Sequence, residues 1–419
     1  MFKIRSVLLF FGICASLVGC DNTSIINKND EVKQGDSGKV QLVVWHTYNE
    51  NETKIFENEI IPIFEQKYPS IEIKPVSQSY NSQLMSALIS KASANKPPDI
   101  IRMDITWVSK FADLHLLYPV NQFGDFERVK DNLYPVPLQT SLYQGQYYGL
   151  PVNTNTKIAI YNKELLKKYH IEKLPETMDE LMKIIEKNPV LLGMAGMNAW
   201  QSLPYFYGLG GNLLNDRNTK ATGYFNSEES IQAVEKMLAL YQQKKLNENT
   251  ISGNYDLWDG LLSEKYIMID EGPWFYNVNA KEQIDYIISH TVAAPFPGSK
   301  DRRSVLGGEV LSITKGTEHV EEAWEFVKWM TTEEPQKRFL MEGLLPTNKT
   351  VLKDEMVEEY PYYKAYVQSI DQSFLRPQIA EWRKIESIYT ECLKQIFSGQ
   401  TNIEEELTKA ARKMDLVLQ

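Results

Sequence analysis

Basic clusters, cysteine pairs and catalytic signatures are what this sequence has least of. Lysine and arginine number 45 against 55 aspartates and glutamates, a formal net charge of −10. No basic stripe appears, which excludes a nucleic-acid partner, and the acidity serves solubility. Three cysteines, Cys14, Cys20 and Cys392, cannot build a disulfide framework. No G-x-S-x-G, H-E-x-x-H or P-loop pattern is present. The five histidines, His46, His115, His170, His290 and His319, are scattered without ligand spacing, so neither a metal nor a cofactor is expected. A glycoside hydrolase would need two flanking carboxyl groups. Asp104 with Glu271 or Glu309 could supply such a pair, but nothing sets them apart from ordinary hydrogen-bonding carboxylates. The reading is a protein without enzymatic activity.

What is present is a chain of 419 residues, 43% apolar, too long for one core and sized for two or three. Its first twenty residues stand apart. Lys3 and Arg5 precede an apolar run from Val7 to Val18 and a small-residue ending, the layout of a secretory signal peptide over 1–19. The run is short for a membrane-spanning helix. Leu17-Val18-Gly19-Cys20 resembles the lipobox of bacterial lipoproteins, which implies cleavage before Cys20 and acylation of that residue. Several acyl chains together would anchor the protein stably to a bilayer. Losing Lys3 and Arg5 would take the net charge from −10 to −12 and leave Cys392 the only free thiol. Cys392 sits at helical spacing with Ile385, Ile388 and Ile396, which predicts a buried structural cysteine. Residues 20–39 are polar and unpatterned, a flexible tether.

Folded structure is expected from Val40. Val40 to Trp45 reads as a strand, Ile55 to Phe64 as a helix kinked at Pro62, and Ile71 to Val76 as a second strand. A helix through Leu84, Leu88 and Ile89 and a short strand over 99–103 follow. Strand, helix, strand, helix, strand at this spacing predicts a parallel sheet with crossover helices. Gly149 to Asn162, GLPVNTNTKIAIYN, reads as an extended segment passing from one compact body into another. Pro151 suits a strand edge, and Ile158 to Tyr161 a short buried strand. Further on, Tyr266–Ile269 is a predicted strand, 293–298 a second crossing, and Val310–Ile313 a strand. An amphipathic helix from Val320, a third break at 343–348 and a helical tail from Tyr360 complete the chain. Trp324 and Trp329, five apart in that amphipathic helix, read as packing residues.

The order of these landmarks resembles the solute-binding lipoproteins of bacterial ABC importers, of the class that includes maltose-binding protein. The stretches that carry the resemblance are LVVWHTYNENETKIFENEIIPIFEQKYPSIEI, KPPDIIRMD, YYGLPVNTNTKIAIYNKELLKKY, YIMIDEGPWFY and LSITKGTEHVEEAWEFVKWMTTEEPQKRF. The resemblance implies an α/β, two-lobed periplasmic-binding-protein-like fold. Each lobe would be a mainly parallel sheet flanked by helices, joined to the other by hinge crossings around a ligand cleft. It places residues 40–152 plus 297–345 in one lobe and 153–296 plus 346–419 in the other. It further implies a monomer that captures a solute, closes by hinge bending, and delivers it to the transmembrane subunits of a permease.

Ligands of open α/β sheets sit at the carboxyl ends of strands. The residues found there are Trp45, His46, Tyr48 and Asn49, then Asp104 and Trp107. A break later gives Trp200, Gln201 and Tyr205, then Glu271 and Trp274, then Gly308 and Glu309, and late in the chain Arg376 and Trp382. Aromatic faces suit the C–H face of a sugar ring, while carboxylates, amides and Arg suit its hydroxyl rim. Tyr205, Trp274 and Trp382 resemble the stacking aromatics of maltose-binding protein, and Asp104 falls near its sugar-binding carboxylate. Trp45 reads equally as a core residue. Gly307-Gly308 reads as a close backbone approach or as a tight turn alone. Arg102, Arg302, Arg303 and Arg376 leave open a charged solute such as a uronic acid or a phosphate ester, and a polyamine is a further alternative.

Overall fold

The computed structural model describes residues 38–79, 82–94, 96–253, 256–277, 281–299, 303–352, 360–399 and 401–419. The signal peptide, Cys20, most of the tether and Arg302 lie outside the described residues. Lys39 to Gln419 forms one compact unit.

Strand β1 (Val40–His46) opens the fold, followed by β2 (Ile71–Ser77) and β3 (Ile100–Asp104). β1 lies between the other two and is parallel to both, as the strand–helix alternation predicts. A short hairpin, β4 (Leu142–Tyr143) with β5 (Gln146–Tyr147), precedes β6 (Leu150–Thr156). β7 (Ile158–Asn162), β8 (Leu192–Gly193), β9 (Met268–Glu271) and β10 (Thr291–Ala294) form a second sheet in the order β10-β7-β9-β8. β11 (Ser304–Ile313) returns to the first sheet, antiparallel to β3 and β6, and pairs at its start with the two-residue β12 (Ser373–Phe374).

The two-sheet α/β fold is therefore as expected, while strand direction is mixed. In the second sheet only β8 and β9 run parallel. The reason lies in the crossings: β6 carries the chain out of the first sheet and β11 brings it back, so the two run antiparallel side by side. The return crossing is also displaced from the expected 293–298. Thr291–Ala294 pairs with β7 inside the second sheet, and Phe296 is buried in that sheet's core. Segment 343–348 does lie against the outgoing crossing: Thr154 N–H donates to Leu345 O at 2.8 Å, and Thr347 Oγ1–H to Pro151 O at 2.6 Å.

Side-chain alternation explains where the cores sit. β7 is buried on both faces, sending Ala159 and Tyr161 into one cluster and Ile158 and Ile160 into another. Leu42 and Val44 of β1 pack with Phe56, Phe64, Trp324, Phe326 and Trp329 on one face of the first sheet. Ile101 and Met103 of β3 pack with Leu84, Trp107 and Phe111 on the other. Trp324 and Trp329 are both core residues. Pro62 shapes the first helical stretch. Glu50–Ile55 is α-helical, Phe56–Ile60 widens into a π turn, and α-helix resumes at Ile61. A proline has no N–H for the i−4 bond and clashes with that carbonyl, so the widened turn precedes it.

The tail is helical in three pieces, 362–370, 382–397 and 403–417, interrupted by β12 and the loop 375–381. Leu407, Ala410 and Met414 form the buried stripe of the last helix. Cys392 is buried among Ile385, Tyr389 and Ile396, and burial pushes its thiol up to about 12, so it is an inert packing residue.

Candidate functional site

The site is assembled at the ends of β1, β3 and β9, along β11, and at the start of helix Ala199–Gly208. Asn198 caps that helix, its Oδ1 accepting from Gln201 N–H at 3.0 Å. The cap fixes Trp200 and Gln201 in the first turn. β9 ends in Glu271, and Gly272-Pro273-Trp274 folds directly back over it. Glu271 Oε1 accepts from Trp274 Nε1–H at 2.8 Å and from Gly272 N–H at 2.9 Å, while Oε2 accepts from Trp258 Nε1–H at 2.9 Å. A Cβ at Gly272 would fall 2.2 Å from the Trp274 ring, so only glycine permits this fold-back.

Trp200, Gln201, Trp258, Glu271 and Trp274, with Ala195, Leu257, Asp256 and Asp259, line a cavity of about 490 Å³. Trp200 and Trp274 stand 6.4 Å apart at an interplanar angle of 35°. Two indoles, Trp258 and Trp274, are therefore held by one carboxylate and the third, Trp200, sits in the capped first turn of its helix; among the described residues no lysine or arginine lines the cavity.

From Trp200 the arrangement continues across to the first sheet. The Arg376 guanidinium lies 5.3 Å over the Trp200 ring and 3.9 Å from Asp104 Oδ1. Asp104 also accepts from Thr106 N–H at 2.7 Å and from its hydroxyl at 2.5 Å. Nearby, Arg102 is buried and donates to Glu309 Oε2 and Asn153 Oδ1, each at 3.0 Å, and to Thr47 Oγ1 at 2.9 Å. Its guanidinium also caps the Tyr48 ring at 4.1 Å. Asn153 Nδ2–H donates to Glu309 Oε2 at 2.5 Å. This network ties β1, β3, β6 and β11 together where β11 carries a bulge between Glu309 and Val310. Gly308, just before the bulge, has φ +134°, and a Cβ there would lie 2.4 Å from Asn153 O. The close approach is a packing requirement between the two crossing strands.

Of the residues expected at the site, Asp104, Trp200, Gln201, Glu271, Trp274 and Arg376 form one connected group, and Tyr48 and Glu309 meet through Arg102. Others are placed elsewhere. Tyr205 is in the core, donating to Asp270 Oδ1 at 2.7 Å, and burial beside that carboxylate pushes its hydroxyl well up. Trp382 is 1% exposed and packs with Ile385 and Tyr389. A one-residue shift in reading a short helical stretch is enough to move an aromatic from cleft to core. Trp107 is likewise core, and Trp45 packs half-buried against the same cluster.

Asn49 spends its side chain in a capping box with Glu52. His46 is fully buried against Tyr48 and Phe56, its ring centroid 5.3 Å and 5.1 Å from theirs. Burial, with a contribution from Arg102, lowers its pKa to about 4. Glu57 Oε1 stands 3.8 Å from its Nε2, beyond hydrogen-bond reach, and does not offset that. Trp258, Asn153 and Lys157 carry no site signal in the sequence. Trp258 lies in a six-residue helix with no strand end before it, and the buried Lys157 has no signal beyond its place in the crossing.

The family of bacterial extracellular solute-binding proteins matches residues 59–365. The maltotriose-binding protein of Pyrococcus abyssi is 26% identical over 384 residues, covering 86% of this chain and 79% of that one. The GacH receptor of Streptomyces glaucescens, solved unliganded and with acarbose, superposes with a TM-score of 0.75 at 24% identity, covering 91% of this chain and 98% of its own. The sugar-binding protein MalE of Xanthomonas citri gives 0.79 at 18% identity, over 90% and 97%. These two share the two-lobed fold. The chain belongs to the bacterial extracellular solute-binding proteins.

Proposed function

We propose that this protein is the substrate-capture subunit of an ABC importer, that it binds a neutral carbohydrate of more than one ring between its two sheets, and that it hands the sugar to a membrane permease. The observation that carries this reading is the cavity lined by Trp200, Trp258 and Trp274, the last two held at their N–H edges by Glu271. Indole faces shed water readily against the C–H face of a sugar, and fixed rings lose little conformational entropy on binding. Asp104 and Arg376 extend the site with an acceptor and a donor for hydroxyls. The relative from Pyrococcus abyssi is named for an oligosaccharide.

An anionic ligand is the weaker reading. Among the described residues the cavity is lined by Asp256, Asp259 and Glu271 and by no basic residue, Arg102 is engaged by Glu309, and Arg376 faces Asp104. A charged sugar or phosphate ester would meet carboxylates before it met a free cation.

Lobe 1 takes residues 40–152 with 297–345 and lobe 2 residues 153–296 with 346–419, with β6 and β11 carrying the chain between them. The return crossing moves from 297 into the span of β11. Among the described residues no helix is long and apolar enough to cross a membrane. Attachment to the outer face of the cell membrane falls to acylated Cys20, on the strength of the lipobox resemblance. Mass spectrometry of the N-terminal peptide checks it: a diacylated Cys20 supports the anchor, and an unmodified Met1 or Cys20 removes it.

The test of ligand class is thermal unfolding of the purified protein against neutral oligosaccharides, uronic acids, phosphate esters and polyamines. A ligand that binds only the folded state adds about 2.7 kcal/mol of stability at a hundredfold excess over its Kd. A rise with a neutral oligosaccharide, recovered unchanged in mass, is the expected result. A rise with charged solutes alone, or cleavage of the sugar, contradicts the reading.

A further inference from the structure

Lys157 stands where β6 passes into β7 and is 1% exposed. Its ammonium contacts the carboxylate of Asp270, itself wholly buried, and donates to Gln201 Oε1 at 2.5 Å. Asp270 belongs to β9, opposite Ala159 in the register and directly before Glu271. One buried cation therefore touches the crossing, the helix that bears Trp200, and the strand that ends in Glu271 just before Trp274.

A buried ion pair is a poor way to gain stability. Desolvation of both charges offsets most of the attraction, and an apolar pair of the same volume often does as well. Burial indeed pushes the Asp270 carboxyl up, against the pull of Lys157. What the pair does supply is direction. An ammonium has donors and no acceptor, so the Gln201 carbonyl oxygen must face it. The amide NH2 then turns the other way, and Gln201 is one of the residues lining the cavity. Glu271, one of three carboxylates there, is an acceptor already engaged by two indoles and a backbone N–H. A fixed donor beside it is what the oxygen of a ligand needs.

We propose that Lys157 is a positioning residue for ligand recognition. It locks the Gln201 amide so that the cavity presents N–H donors to a ligand oxygen, and through Asp270 it sets the strand that ends in Glu271 and leads into the turn bearing Trp274. The carbohydrate reading above supplies the identity of that oxygen, whereas the amide's orientation does not depend on it.

Gln201→Glu is the sharpest variant. A carboxylate still accepts from Lys157, so the unfolding midpoint should hold, but the cavity loses its donors. Affinity for the saccharide that stabilises the wild type should fall roughly three- to tenfold, the value of one net hydrogen bond. Lys157→Met combined with Asp270→Asn removes both buried charges and frees the amide. It should lose affinity by a similar factor, and adding Gln201→Glu to it should cost nothing further.

A Gln201→Glu protein that binds as tightly as wild type overturns the proposal, as does full additivity of the variants. A ligand-free readout separates this from the carbohydrate reading: the Gln201 side-chain NH2 signals in a ¹H–¹⁵N spectrum. They should be displaced in the wild type by the Lys157 hydrogen bond to the amide oxygen and move to free-amide positions in Lys157→Met/Asp270→Asn. Signals that do not move overturn the positioning role even if no saccharide in the panel binds. A panel in which none binds, with signals that do move, overturns the carbohydrate reading alone.

Discussion

At the carboxyl end of β3 the cleft wall is polar and already paired, whereas at the end of β9 it is aromatic and open. Arg102, Glu309, Asn153 and Thr47 satisfy one another, and Tyr48 covers the guanidinium. Trp200, Trp258 and Trp274 are fixed at their N–H edges or by a helix cap, and their faces border a cavity. The difference separates two jobs that the sequence alone runs together under one list of polar and aromatic residues. A network whose partners are internal holds strands in register. Residues whose hydrogen bonds are internal but whose faces are not covered hold something else. By that criterion the first wall sets the geometry of β6 and β11, and the second wall is where the proposed ligand would gain its affinity.

The comparison can be broken most severely at the core residues that resembled cleft aromatics. Trp382→Ala should lower the unfolding free energy by about 3–5 kcal/mol, read by urea denaturation. A variant of near wild-type stability that fails to bind would return Trp382 to the cleft. On the first wall, Gly308→Ala forces a Cβ against Asn153 O in a left-handed backbone, and should cost about 2 kcal/mol. If the midpoint is unmoved, the close packing of β6 on β11 is not what holds the crossing.

His46 sharpens the same wall by pH. Its folded pKa of about 4 lies below the unfolded value of 6.5, so the unfolded chain takes up the proton first as pH falls. Stability from this group is therefore present above pH 6.5 and lost progressively down to about 4. Urea midpoints for wild type and His46→Leu should differ in their pH slope across that window and run parallel above it. Identical slopes would mean that His46 is not held neutral. The smallest expected effect is at the exposed Lys54–Glu50 pair, 2.8 Å apart on a helix surface. Lys54→Ala should leave the unfolding midpoint and ligand affinity where they were, and a clear loss of either would show that the walls do not carry the account alone.

How much of this could be read beforehand depended on range. Strands β1, β2 and β3 and the helices between them follow from local periodicity, and so does the extended run through Leu150–Thr156. Trp274 is legible because it follows the end of a buried strand, and GPW is the stretch by which the resemblance points to it. The return crossing was misplaced because Ala293–Phe296 and Ser304–Leu306 are both short, apolar and bounded by glycine or proline. Only the register against β7 or β6 tells them apart, and register is a long-range property.

Tyr205 and Trp382 failed for a related reason: helical phase decides whether an aromatic faces the cavity or the core, and a one-residue uncertainty rotates it by about 100°. Asn49 was misread because capping and ligand binding call for the same residue type. Trp258, Asn153 and Lys157 could not have been found from spacing, since each acquires its role from a partner far away in sequence: Glu271 by thirteen residues, Glu309 by 156, Gln201 by 44.

The most direct test of the central claim is calorimetric titration of wild type and Trp274→Ala with the oligosaccharide that raises the wild-type unfolding midpoint most. Trp274 is half-buried beside the cavity, so its removal should leave the fold intact while weakening binding by about 2 kcal/mol, roughly thirtyfold. A Trp274→Ala protein that binds that sugar as tightly as wild type would contradict the assignment of ligand affinity to the aromatic wall.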